Sequence, residues 1–269
     1  MELLPETLRQ QFLDRGWLHF PFDGHVANWA AAARPAALAS VRDPAFAQWL
    51  VCEGTWFVGL DALANDKTGR VAGSPPLAGP AMEFATDLYG AMPLHPAQVS
   101  VVWPGYPRPR EGEGPAAAHY RLTRDAAHVD GLRRHGPARR RFMGEPHAWI
   151  LGLPLSDAAS GAAPLVVWEG SHRLMRKAFH TAFEGHDPAD WPDIDVTALY
   201  QQARRDAFGS CRRIELPARP GEATLLHRHV LHGVAPWRPD TPDPAGEGRM
   251  IAYFRPHLPG GVADWMTLP

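Results

Sequence analysis

Cysteine and lysine are scarce in this sequence, and no long apolar run occurs in it. Only Cys52 and Cys211 appear in 269 residues. Neither stands in a metal-binding spacing, and two isolated thiols argue against a disulfide framework and for a reducing compartment. No stretch approaches the roughly 18 continuous apolar residues of a transmembrane helix. The acidic start, Met1-Glu2-Leu3-Leu4-Pro5-Glu6, offers neither the basic nor the apolar region of a signal peptide. A cytoplasmic protein without a membrane partner is expected. Lysine occurs only at 67 and 177, so the basic residues are almost all arginine. With a net charge of −2, nothing points to nucleic acid as a partner. Internal repeats and low-complexity tracts are missing too.

What is present is enough apolar material for a substantial core. Hydrophobic residues make up 45% of the chain and charged residues 21%, the balance of a globular protein. We expect one domain over 1–269, with a helical flanking region over 1–96 and a β core over 97–258. Leu8, Phe12 and Leu13 mark one face of a helix over 6–15, which stops at Gly16 before a short strand over 17–20. Residues 25–51, rich in Ala and Trp, read as helix broken near Pro44. Residues 56–63 read as a strand or buried turn, 65–79 as a loop and 80–89 as a further helix. From Gln98 the texture changes. Strands are expected over 99–103, 119–122, 148–153, 165–168, 213–216, 223–226 and 250–254, with a Pro/Gly-rich loop over 106–117. Helices over 171–183, with Ser171 as N-cap, and over 196–207 interrupt them. Helices first, then at least seven short strands, describe a mainly β, α+β protein. Its core would be a double-stranded β-helix, jelly-roll or cupin-like, with flanking N-terminal and inserted helices. A βαβ sheet fits less well, because strands and helices do not alternate regularly.

Within that core, Asp125-Ala126-Ala127-His128-Val129-Asp130-Gly131 sets an imidazole and a carboxylate two residues apart. On an extended strand both side chains leave the same face and can close on one metal ion. In a chain with 14 His and 29 acidic residues, chance alone supplies one or two His-x-acid pairs, so the pair gains weight only with a third ligand. The segment His227-Arg228-His229-Val230-Leu231-His232-Gly233 offers three imidazoles. His227 and His229 share a strand face while His232 is out of phase, and spacing does not choose among them. Two histidines and one carboxylate with open positions are the donor set of non-haem Fe(II) oxygenases.

Four features in order make residues 98–256 resemble the phytanoyl-CoA dioxygenase-like branch of the Fe(II)/2-oxoglutarate-dependent oxygenases. These are His128-Val129-Asp130-Gly131; Gly170-Ser171-His172 behind the strand 165–168; Pro220-Gly221-Glu222 leading to Leu225-Leu226-His227; and Leu231-His232-Gly233-Val234-Ala235-Pro236 followed by Arg249. Phe12-Leu13-Asp14-Arg15-Gly16-Trp17 also looks like the helix-to-strand opening of that family. The resemblance implies His128, Asp130 and His232 as ligands of Fe(II), and Arg249 as the partner of the distal carboxylate of 2-oxoglutarate. A guanidinium fork suits that carboxylate better than an ammonium. It further implies O₂ as the oxidant, decarboxylation of 2-oxoglutarate to succinate and CO₂, and hydroxylation of a small-molecule substrate. Asp130 leaves no metal position for a halide, which disfavours halogenation. The interval from His232 to Arg249 is longer than the family's usual one, and 240–248 reads as an inserted loop; Arg255 is the weaker alternative. Glu169 and Trp237 stand where the family commonly has Pro and Asn, which counts against a typical acyl-CoA substrate.

Other residues are candidates around such a site. Gln98 and Ser100 on the first core strand, and Tyr120, are positioned in sequence to hydrogen-bond 2-oxoglutarate, though a plain strand role fits Gln98 and Ser100 equally well. Arg121, and Arg133 and Arg134 of the basic run 133–141, are candidates to contact an anionic substrate; a solvated basic loop is the alternative. His172 either orders the site from behind or belongs to a structural turn. Trp149 is either core or a substrate platform. Two rival functions use the same barrel: a cupin-like metal-dependent isomerase or hydrolase indifferent to 2-oxoglutarate, and a non-catalytic ligand-binding barrel. Conversion of 2-oxoglutarate to succinate with Fe(II) separates the first reading from both.

Overall fold

Side chains alternate along the β-branched runs, and this alternation gives the molecule two apolar layers, one on each face of its main sheet. The computed structural model describes residues 5–269; the first four residues of the acidic start lie outside the described residues. Helix α1 (Pro5–Arg15) leads into strand β1 (Trp17–Phe20). Helix α2 (Gly24–Arg42) is capped by Asp23, whose carboxylate accepts the His25 and Val26 N–H groups at 2.9 and 3.0 Å. A 3₁₀ turn (Pro44–Trp49), strands β2 (Leu50–Val51) and β3 (Trp56–Phe57), and helix α3 (Pro80–Tyr89) come next. The core continues with β4 (Gln98–Val102), α4 (Pro115–Thr123), β5 (Leu132–His135), β6 (Arg140–Met143), β7 (Trp149–Pro154) and β8 (Leu165–Trp168). Two inserted helices, α5 (Ser171–Phe183) and α6 (Thr197–Ser210), precede β9 (Arg213–Leu216), β10 (Ala223–His227), β11 (His232–Val234), β12 (Arg249–Phe254) and α7 (Gly261–Thr267).

The large sheet runs β1-β10-β7-β12-β4-β3-β2 and the small one β11-β8-β9, with β5 and β6 as a separate hairpin. Every pairing is antiparallel. Ile150, Leu226, Ile251 and Tyr253 of the large sheet meet Leu165, Val167 and Leu216 of the small one in a single buried cluster. Each such side chain contributes roughly 1.5–3 kcal/mol by leaving water. The alternate residues Leu151, Leu225, Ala252 and Phe254 face the other way and pack against Phe12 and Trp29 of the helices, with the Trp29 and Phe254 rings 5.7 Å apart. This is the expected mainly β, jelly-roll-like architecture with helices outside. Strands β1, β2 and β3, from the stretch expected to flank the core, join the large sheet itself.

Three local expectations are corrected. Residues 119–122 are helical, not a strand, because Pro115 at the first helical position and three following alanines favour α4. The basic run 133–141 is a β hairpin rather than a loop; Arg134 stands directly across from Arg141. Ser171 does not cap α5. Gly170 takes that position with φ of 81°, and the Ser171 hydroxyl instead accepts the Leu231 N–H at 2.8 Å. Among the described residues, no helix is long and apolar enough to cross a membrane.

Candidate metal centre and its cavity

Backbone hydrogen bonds bring the two distant motifs together. The His128 N–H donates to the His232 carbonyl at 2.8 Å, and the His232 N–H returns the bond to His128 at 3.0 Å. The Val234 N–H donates to the Asp125 carbonyl at 2.9 Å. This approach explains Gly233: a β-carbon there would stand 2.1 Å from the Asp125 carbonyl oxygen. Gly131 is required for the same kind of reason, with φ of 89° and the Glu145 carbonyl oxygen 2.6 Å from where a β-carbon would be. Around the loop, Arg213 grips the buried Asp125 carboxylate through Nε (2.7 Å) and Nη2 (2.8 Å). Tyr120 donates its hydroxyl to the Ala127 carbonyl at 2.7 Å, and the Val129 N–H donates to Tyr200 Oη at 3.4 Å.

The side chains converge as metal ligands do. One donor atom from each of His128, Asp130 and His232 lies within 4.8 Å of the others. His128 Nδ1–H donates to the Ala126 carbonyl and His232 Nδ1–H to the Val230 carbonyl, both at 3.0 Å. These bonds fix each tautomer and leave both Nε2 lone pairs aimed at the centre. The Nε2 atoms lie 3.2 and 3.8 Å from Asp130 Oδ1. Burial, and then the neighbouring His128, pushes His232 down to about 4, so it is neutral at physiological pH as a ligand must be. Burial alone would raise the Asp130 carboxyl, but the charge of Arg255 and the His128 and His232 imidazoles hold it well below the usual carboxylate range. Arg255 Nη1 donates to Asp130 Oδ2 at 3.2 Å. The Arg255 carbonyl is itself held by His95 Nε2–H at 2.7 Å and His147 Nδ1–H at 2.9 Å.

A cavity of about 460 Å³ opens over these ligands. Of the residues singled out in the sequence, Gln98, Ser100, Tyr120, Arg121 and Arg134 line it. Two of them are already engaged: Tyr120 holds Ala127, and the buried Arg121 is ion-paired to Glu113. The Ser100 hydroxyl accepts Trp56 Nε1–H at 3.1 Å and keeps its own proton to donate. Three of the substrate-contact candidates stand elsewhere. Trp149 neighbours the cavity residue Ile150 on β7 and therefore faces the opposite side, in the helix-packed core. Arg133 lies on the far face of the hairpin from Arg134, with its side chain folded over Gly144. His172 is buried at the start of α5, bonded through Nε2–H to the Leu13 carbonyl at 3.0 Å, with its ring tilted against that of His227 at 4.8 Å.

Arg249 is on the inward face of β12 with Ile251 and Tyr253, yet it does not line the cavity. It borders a separate small void with Ile251 and Leu216. All three guanidinium nitrogens are buried without a partner, and so is Tyr253 Oη. An unpaired buried guanidinium is costly, and a carboxylate is the group that would satisfy it. Convergent Nε2 atoms on a carboxylate, and an unpaired buried cation on the inward face of β12, fit a metal with an anionic cosubstrate. Nothing in the sequence pattern marks Tyr200, Arg213, the role of Asp125 or the Arg255 contact with Asp130, because all act through bonds between residues far apart in the chain.

No family model matches the chain, and no curated protein matches it in sequence. Solved structures do. The non-heme α-ketoglutarate-dependent carbocyclase SnoK from nogalamycin biosynthesis is 15% identical, with a TM-score of 0.51 over 98% of this chain and 89% of that one. The epimerase SnoN, solved in complex with Fe³⁺, α-ketoglutarate and nogalamycin RO, is 20% identical, with a TM-score of 0.53 over 98% of this chain and 90% of that one. At such identities the likeness shows the fold: this chain is built on the same jelly-roll scaffold as these α-ketoglutarate-dependent enzymes.

Proposed function

We propose that this protein is an Fe(II)- and 2-oxoglutarate-dependent dioxygenase of the phytanoyl-CoA dioxygenase-like type that hydroxylates a small molecule in the cytoplasm. The observation that carries the reading is the convergence of His128 Nε2, His232 Nε2 and the Asp130 carboxylate in the lining of the cavity. The solved SnoN complex, with iron and α-ketoglutarate on the same scaffold, supports it.

His128, Asp130 and His232 would hold the iron. With 2-oxoglutarate and O₂, that metal supplies oxidative decarboxylation to succinate and CO₂ and the removal of hydrogen from a bound substrate. The chain's own work is placement. Nδ1–H bonds to Ala126 and Val230 keep both imidazoles oriented, and Arg255 fixes one oxygen of Asp130. Arg249 would hold the distal carboxylate of 2-oxoglutarate: all three of its guanidinium nitrogens lack a partner, whereas Arg255, which lines the cavity, already spends Nη1 on Asp130.

Anaerobic titration with Fe(II), followed by 2-oxoglutarate, tests the assignment. Wild type should bind one equivalent of each; Asp130→Ala should lose the metal, and Arg249→Ala should keep the metal but lose 2-oxoglutarate. Normal 2-oxoglutarate binding in Arg249→Ala, with loss in Arg255→Ala, would transfer the role to Arg255.

A further inference from the structure

The wall of the cavity carries far more positive charge than its acids can match. Its two carboxylates are both committed, Glu113 to Arg121 and Asp130 to Arg255 and the metal centre. Arg134, Arg139, Arg141 and Arg204 also line the cavity, and no carboxylate lies within ion-pair distance of any of them among the described residues. Arg134 and Arg141 stand opposite each other on the β5–β6 hairpin, an arrangement that like charges disfavour. Desolvation, and then the charges of Arg141 and Arg139, push Arg134 down to about 10.

This hairpin is a held element, not a loose basic loop. The Arg141 N–H donates to Thr197 Oγ1 at 2.7 Å, and the Val196 N–H donates to the Arg141 carbonyl at 3.0 Å. From α6, the Arg204 guanidinium lies over the rings of Tyr120 (4.7 Å) and Tyr200 (5.4 Å). Those two tyrosines hold the His128 segment, so Arg204 is fixed relative to the metal ligands. Arg134 and Arg139 are exposed whereas Asp130 and His232 are largely buried, which sets these arginines nearer the mouth than those two ligands.

We propose that the cavity admits a small-molecule substrate through an anionic group, a phosphate ester or a carboxylate, held by Arg134, Arg141 and Arg204 while the rest of the molecule extends toward His128 and Asp130. The inference rests on the reading of the metal centre above and adds the substrate class. Guanidinium groups arranged around a partly desolvated mouth are suited to bidentate bonds with such an oxyanion, and an anion seated between the members of the opposed pair would relieve their repulsion.

Calorimetric titration of the protein loaded anaerobically with Fe(II) and 2-oxoglutarate tests this, with inorganic pyrophosphate and tricarballylate as probes. Saturable binding is expected for at least one probe, weakened at least tenfold in R134Q/R141Q and unchanged in R219Q, a surface control. The tighter probe distinguishes a phosphate from a carboxylate group. Parallel melts separate lost binding from lost structure: removing an opposed like-charge pair should leave Tm equal or higher. If Tm falls, R204Q, on a different element, carries the same tenfold test. Failure of both probes to bind, or equal affinity in R134Q/R141Q and wild type, overturns the proposal. Loss of 2-oxoglutarate itself from R134Q/R141Q also overturns it, because the arginines would then serve the cosubstrate. If the protein binds no Fe(II) or 2-oxoglutarate yet binds pyrophosphate in an Arg134- and Arg141-dependent way, the metal reading fails and the anion site stands.

Discussion

At the scale of single residues, the site depends on which nitrogen of each histidine is left free. His128 and His232 both spend Nδ1 on a carbonyl two residues earlier, so the ligand geometry is written into the local backbone. The sequence pattern made His128 and Asp130 visible, but spacing left His227, His229 and His232 equivalent, and only the family resemblance favoured His232. The other two stand apart from the convergent donors: His227 ends β10 and His229 lies in the turn beyond it, both buried among Phe12, Phe179 and Trp265. Replacing His229 by Ala should therefore cost stability through lost packing while leaving Fe(II) affinity unchanged once the protein is folded. Calorimetric Fe(II) titration beside a thermal melt checks both halves.

At the scale of elements, the loop that carries His128 is held by two distant side chains that no local pattern announces. Arg213 lies 88 residues from Asp125, and Tyr200 lies 71 residues from Val129. Contacts at such separation leave no periodic trace, so they were invisible before the fold was known. The hairpin β5–β6 was missed for a different reason: its strands are charge-rich, so they show no alternation of apolar and polar residues. Helix α4 was misread because its short run carries aromatic and polar residues that fit a strand equally well. Two predictions belong at this scale. Arg213→Gln leaves the buried Asp125 carboxylate without its partner and should destabilise the protein by about 1–3 kcal/mol in urea unfolding. Gly233→Ala forces a β-carbon into the Asp125 carbonyl and should cost about 1–3 kcal/mol and weaken Fe(II) binding, because the displaced segment carries His128. Unchanged Fe(II) affinity in Gly233→Ala would show that the two motifs are not coupled through this contact.

At the scale of the whole molecule, the two-layer design was legible: β-branched runs, their order and the flanking helices all appear in the sequence, and the double sheet follows from them. The joining of β1 to β10 was not, since pairing partners lie 209 positions apart at Trp17 and Leu226. The helix-packed side of the large sheet also gathers His172, His227 and His229 in one buried cluster. Burial keeps all three neutral, pushing His172 down to about 4 and the other two well below their ordinary value. In the unfolded chain they titrate near 6.5. Between about pH 6.5 and 4 the unfolded state therefore takes up protons that the folded state refuses, and stability falls as pH drops. The loss from His172 alone approaches about 3 kcal/mol at the acid end, and His232 adds to it. Urea unfolding of chelator-treated protein at pH 7.5, 6 and 5 should show this steady decline; a flat profile over that range would mean the cluster is open to water.

The measurement that bears most directly on the account is turnover of 2-oxoglutarate by the purified protein with Fe(II) in air. His128, Asp130 and His232 acting as one iron site predict succinate formation, slow without substrate, that is abolished in Asp130→Ala and in chelator-treated wild type. Wild-type protein that binds Fe(II) but neither binds nor consumes 2-oxoglutarate, or Asp130→Ala that forms succinate at the wild-type rate, would contradict it.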